Sequence, residues 1–145
     1  MKCAEITDRL IEALESGKYA SLRVNFPNGD MVGHTGNCLA TEIAVETVDL
    51  CLARIKKAVD AAGAILCVTA DHGNADQMLE KNKKGGVAPR TAHSLNPVPF
   101  IVYDPAERHE LKEGTHFGLA NVAPTIVDLM GLEAFPSWEE SMLKK

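Results

Sequence analysis

Carboxylates and imidazoles recur at close spacing in three short stretches of this chain. Gly29–Gly36 (GDMVGHTG) sets Asp30 four residues before His34, and Val68–Asp76 (VTADHGNAD) places Asp71 beside His72. Arg90–Phe100 (RTAHSLNPVPF) carries His93 just ahead of Pro97 and Pro99. Side chains four apart share one side of a helical turn, so Asp30 and His34 could reach a single ion. Adjacent side chains on an extended backbone point apart. Asp71 and His72 therefore meet at one ion only if a strand has just ended, or else each serves one of two neighbouring ions. Gly73 and Asn74 suit a turn at that point. The plainer readings are a polar glycine loop capped by Asp30, a helix cap at Asp71 beside a surface His72, and a lone His93 with no ligand role.

Stepping outward, these residues follow apolar runs. Residues 20–26 (ASLRVNF), 64–70 (AILCVTA) and 99–103 (PFIVY) read as strands. Residues 4–15 read as a helix with Ile6, Leu10, Ile11 and Leu14 in register and Gly17 as its stop. A long helix is expected over 39–62, its apolar face carried by Ile43, Val45, Val48, Leu52, Ile55 and Val59, and closed by Gly63. A last helix is expected over 122–129. Residues 27–37 and 80–97 read as polar connections, and the tail after Gly131 has no clear period. Helices alternating with apolar strands predict an α/β chain, a partial and mostly parallel sheet flanked by helices. Asp30, His34, Asp71 and His72 then all lie just beyond strand C-termini, where open α/β sheets bind ligands. A mixed nitrogen and oxygen set without cysteine suits Mn²⁺, Zn²⁺ or Fe²⁺ better than calcium or a structural zinc.

The bulk composition narrows the classes. A chain of 145 residues, 46% hydrophobic, can build one domain core, and its net charge of -5 argues against a nucleic-acid footprint. The 4 cysteines include no CxxC pair, which reads as a cytoplasmic chain rather than a disulfide scaffold. No run approaches the ~18 apolar residues of a membrane span. The phosphate-binding GxxxxGK[ST], a strand-linked GxGxxG and the GxSxG elbow are all missing. Lys81, Lys83, Lys84 and Arg90 make a local basic run that could draw a phosphorylated substrate or simply be solvated. His109 and His116 are expected to face solvent.

Val24–Gly36 (VNFPNGDMVGHTG), Val68–Asp76 and Thr91–Pro99 (TAHSLNPVP) together resemble the C-terminal part of the cofactor-independent phosphoglycerate mutases. The likeness runs from Ala4–Asp8 (AEITD) to Gly118–Thr125 (GLANVAPT). It implies an alkaline-phosphatase-like metal-binding domain and the interconversion of 3-phosphoglycerate and 2-phosphoglycerate through a phosphoserine intermediate. It also implies two Mn²⁺ ions, with Asp30, His34 and His93 as ligands of one and Asp71 and His72 among those of the other. In the family the nucleophilic serine, a further metal-binding aspartate and the transferase domain precede this region. None of Ser16, Ser21, Ser94, Ser137 or Ser141 sits in a matching nucleophile motif, so this chain, 1–145, is expected to be inactive alone. A sheet lacking neighbours predicts self-association or pairing with a complementary N-terminal segment. The alternatives are a piece of a related metallophosphatase or phosphopentomutase, and a non-catalytic metal-binding or interaction fragment.

Overall fold

The computed structural model describes residues 2–114 and 116–144. Helix α1 spans Cys3–Glu15 and ends where Gly17 takes a positive φ of 62°. A single-turn-scale helix, α2, covers Asn28–Gly33 within the expected loop. Helix α3 runs from Cys38 to Ala62. Asn37 caps it by accepting the Ala40 amide at 3.0 Å, and Gly63 closes it in the left-handed region, with Ala64 N–H returning to Val59 O. The helix start and stop follow directly from these two residue types.

Packing shifts the face of α3 that sequence periodicity predicts. The buried residues are Thr41, Ala44, Cys51, Ile55 and Val59, whereas Ile43 and Val45 are exposed. Small side chains at Thr41, Ala44 and Cys51 allow close approach of neighbouring helices, and α3 packs against both α1 and α2. On α1 the fully buried positions are likewise small, Cys3 and Thr7. Its larger apolar residues Ile6 and Leu10 line a cleft of about 430 Å³ together with Leu22 and Val24.

The ladders among the described residues are antiparallel and supply no parallel pair. Strand β1 (Leu66–Thr69) pairs antiparallel with β4 (Phe100–Tyr103), in register from Leu66↔Tyr103 to Thr69↔Phe100. The intervening strands β2 (Leu79–Lys81) and β3 (Val87–Pro89) form a second antiparallel pair. A parallel return needs a crossover, usually a helix, but the chain between β1 and β4 makes only loops and this hairpin, so it comes back in the opposite sense. Residues 21–26 carry no ladder although Leu22, Val24 and Phe26 are half-buried and Ser21, Arg23 and Asn25 exposed. That alternation is the signature of a sheet strand, and among the described residues no strand pairs with it.

Helix α4 (Val122–Leu129) follows a 3₁₀ turn at Leu119–Asn121. The tail packs onto it despite having no period. Thr125 is wholly buried; its hydroxyl donates to Asn121 O and accepts the Met142 amide at 2.9 Å. Lys112 N–H donates to Met142 O and Lys144 N–H to Glu110 O, bracketing a bridge between Leu111 and Leu143. Among the described residues no helix is long and apolar enough to cross a membrane.

Candidate metal centre

Two turns of chain following extended segments, and one loop preceding β4, converge on the same point. Helix α2 is what makes the Asp30–His34 spacing productive. His34 caps it, its amide donating to Asp30 O at 3.0 Å, so the two side chains rise on one side. His34 Nε2 lies 3.1 Å from Asp30 Oδ1, and His93 Nε2 lies 3.1 Å from the same oxygen. The two Nε2 atoms are themselves 3.1 Å apart. Thus Asp30, His34 and His93, three of the residues singled out from sequence, form a near-equilateral triangle of donor atoms.

That triangle fits a transition-metal ion. Ligands about 2.1 Å from a metal and at right angles to one another are separated by roughly 3.0 Å, and tetrahedral ones by roughly 3.4 Å. A carboxylate oxygen and two imidazole nitrogens at 3.1 Å fall between these values. The tautomer is set as well. His34 Nδ1 stands 2.6 Å from Thr91 O, and as the donor in that bond it leaves the Nε2 lone pair directed at the triangle.

His72 enters from the side. Its ring stacks on that of His93, with centroids 3.7 Å apart and planes 16° apart. Asp30, His72 and His93 each offer a ligand atom within 4.8 Å of the others. Asp71 is 84% exposed, with its Oδ1 3.7 Å from His72 Nε2. The strand has ended before Asp71, as the turn residues require, and so neighbouring side chains can approach one another. The five sequence-predicted residues therefore divide into a tight Asp30–His34–His93 triangle and an Asp71–His72 pair at its flank.

Sequence reasoning missed the residues that hold these candidate ligands. Asn74, 5% exposed, donates its amide to Asp30 Oδ1 at 3.0 Å, while its own Oδ1 is buried without a protein partner. It presses against Gly33, where a Cβ would collide with that oxygen. Asp76 accepts the Ser94 hydroxyl at 2.8 Å and the Asn96 amide at 2.6 Å. These bonds, Asn96 foremost, hold the Asp76 carboxyl below its ordinary value. Ser94 N–H donates to Gly73 O at 2.9 Å, and a Cβ on Gly73 would strike the Ser94 hydroxyl. Arg90 ties Glu80 to the backbone, donating to the His93 carbonyl at 2.9 Å. Their one mark in the sequence is position, each following or preceding a candidate ligand within the same short run, and position alone does not separate a brace from a solvated residue.

The basic run divides in two. Arg90 is an internal brace, whereas Lys81, Lys83 and Lys84 remain exposed around the hairpin tip, where Asn82 Oδ1 accepts the Lys84 and Gly86 amides. His116 faces solvent as expected, but His109 does not. Only 19% of the His109 side chain is exposed, and its Nε2 lies 2.9 Å from Asp104 Oδ2. The correction has a simple cause, since the turn after β4 folds back so that Asp104 also caps the Ala106 amide.

Comparison with known proteins places the chain in a family. Residues 1–134 match the family described as the Metalloenzyme superfamily. The 2,3-bisphosphoglycerate-independent phosphoglycerate mutase of Trypanosoma brucei brucei is 43% identical over 99% of this chain. The enzyme of the same name from Zea mays is 41% identical over 99% of the chain. A crystal structure of Leishmania mexicana phosphoglycerate mutase at low cobalt concentration superposes with a TM-score of 0.93 at 44% identity, again covering 99% of this chain. The chain spans only 28% of the length of each of these relatives. Its fold is α/β and alkaline-phosphatase-like, and the chain belongs to the Metalloenzyme superfamily.

Proposed function

We propose that this chain is the C-terminal, metal-binding part of the phosphatase domain of a cofactor-independent phosphoglycerate mutase, acting in glycolysis and gluconeogenesis in the cytoplasm. The observation that carries the reading is the 3.1 Å triangle of Asp30, His34 and His93, in a chain 44% identical to a phosphoglycerate mutase of known structure. Asp30, His34 and His93 hold one Mn²⁺, and Asp71 with His72 contribute to a second. A divalent cation so held would supply positive charge to offset the negative oxygens of a transferring phosphoryl group.

The chain's own residues keep that arrangement ready. Thr91 O fixes the His34 tautomer, Asn74 orients the Asp30 carboxylate, and Ser94 with Asp76 seats the His93 loop. These outer contacts spare the ligands from reorganising when an ion arrives. The nucleophilic serine that the reaction needs comes from outside residues 1–145. Ser94, the serine nearest the site in sequence, has its hydroxyl committed to Asp76. Phosphoglycerate turnover therefore requires a complementary N-terminal segment, and the unladdered segment 21–26 is the natural place for it to pair. In its absence the same edge favours self-association.

The test is titration of metal-free protein with Mn²⁺, followed calorimetrically and by loss of the free-ion paramagnetic signal. One saturable site that disappears in His93→Ala supports the reading. Absence of binding by cooperatively folded protein would overturn the claim that the triangle assembles in this chain. Mutase activity from the purified chain alone would overturn the external nucleophile.

A further inference from the structure

The metal centre uses no thiol, yet two of the four cysteines are buried against one another. Cys3, at the first turn of α1, and Cys51, midway along α3, place their sulfurs 3.4 Å apart and are 3% and 4% exposed. Cys38 is exposed and Cys67 half-buried, and neither is paired with another cysteine in this way. We propose that Cys3 and Cys51 are a dithiol site that a small-molecule disulfide of the glutathione class converts into a covalent bridge between α1 and α3.

The geometry needs little adjustment. A disulfide bond is about 2.05 Å long, so the sulfurs close by roughly 1.4 Å, within reach of side-chain rotation and a small shift of α1. Cys3 begins its helix, where backbone amides are unpaired and the helix dipole favours an anionic sulfur. The same terminal turn is the part of a helix that opens most readily, which gives a reagent access to a buried pair.

The exchange balances without any other reactant. One cysteine loses its proton, and its sulfur attacks one sulfur of the disulfide, breaking that bond and releasing a glutathione thiolate. The second cysteine then loses its proton and attacks the protein sulfur of the mixed disulfide, expelling the second glutathione. Two protein thiols are oxidised, one disulfide is reduced to two thiols, and the two protons pass to the released thiolates or solvent.

Chemistry at the site also sets its speed. Burial, then the adjacent Cys51 thiol, pushes the Cys3 thiol up to about 11, while the Asn28 side chain at the head of α2 pulls it partly back. The Cys3 thiol is therefore protonated near neutral pH. Exchange through it should accelerate as pH rises and its thiolate fraction grows.

The experiment incubates the full chain with chelator and oxidised glutathione at several pH values, traps remaining thiols by alkylation, and maps non-reduced peptides by mass spectrometry. The expected product is monomeric, about 2 Da lighter than the reduced chain, and yields a peptide joining Cys3 to Cys51. Closing so large a loop should raise the thermal midpoint by several degrees, with an upper bound of about 13 °C. A Cys38→Ser/Cys67→Ser variant leaves this pair as the sole thiols and should behave alike; the wild-type peptide map carries the test if that variant does not fold. Free thiols at Cys3 and Cys51, or a glutathione adduct that stops on either, in a buffer that oxidises dithiothreitol, would overturn the proposal.

Discussion

Asp76 accepts the Ser94 hydroxyl at 2.8 Å and thereby fastens the loop that carries His93 to the loop that carries His72. Together with the backbone bridge between Gly73 and Ser94, that tether brings the neighbouring His72 and His93 rings side by side. Asp76→Ala should leave the number of Mn²⁺ sites unchanged but weaken binding by about 10- to 100-fold, the usual effect of losing an outer support. Calorimetric titration beside His93→Ala separates the two roles. Equal affinity in Asp76→Ala and wild type would mean that the loop is seated by other contacts.

Gly33 gives a steric test of the same centre. A methyl group there meets Asn74 Oδ1 head-on, and Asn74 is the residue that orients Asp30. Gly33→Ala should cost about 1–3 kcal/mol of stability through overpacking. Urea denaturation would register this as a lower midpoint with an unchanged slope. Combined with Asn74→Ala, which opens the space, the added cost should largely vanish.

Thr125 links α4 to the C-terminal tail through the Met142 amide. Thr125→Val keeps the shape but leaves that buried N–H without an acceptor, a loss of about 1–3 kcal/mol. Faster proteolytic trimming of residues after Glu140, with residues before Gly114 still protected, is the expected pattern. Uniform digestion along the chain would instead mean that the tail and the rest unfold as one unit.

The turn after β4 predicts a response to acid. Asp104 is held below its ordinary value of 3.8, first by the Ala106 amide and then by His109. A carboxyl depressed in the folded state binds its proton more readily when unfolded. Its stabilising effect is therefore present above about pH 4 and lost as pH falls through the lower folded value. Thermal midpoints measured from pH 6 to pH 2.5 should fall less steeply for Asp104→Asn than for wild type in the most acidic part of the range. Parallel curves would remove Asp104 from the acid response.

Sequence was most readable where one period ran long enough. Residues 122–129 match α4, and the apolar runs around β1 and β4 lie within about two residues of the observed strands. Residue type and spacing singled out Asp30, His34 and His93 as separate candidates, and only the family resemblance grouped His93 with the other two; the structure brings their donor atoms to 3.1 Å of one another. Helix α2 was hidden by its length, since Asn28–Gly33 offers less than two turns and two glycines. The hairpin at 79–89 was hidden by its polarity: a two-stranded pair outside the core has no buried face to write an alternation. On α3, Ile43 and Val45 drew the eye to the wrong side because Thr41 and Ala44 bury well while scoring poorly as apolar residues. The strand expected over 20–26 carries no ladder among the described residues: its side chains alternate in burial, but alternation names a face and not a partner. Asn74, Asp76 and Asn96 could not be assigned from one sequence, because a polar residue beside a ligand has the same appearance whether it braces or merely solvates.

Segment 21–26 runs without interruption into Pro27 and the helix that presents Asp30. Whatever pins that segment laterally also pins the carboxylate, and an ion gripping the carboxylate pins the segment. Reciprocity then requires the two events to reinforce each other by the same factor. The affinity of the Asp30 carboxylate for a divalent ion would then act as a strain gauge for sheet completion: a strand zippered along residues 21–26 should be felt at Asp30 as a tighter grip, with no residue of that strand touching the ion.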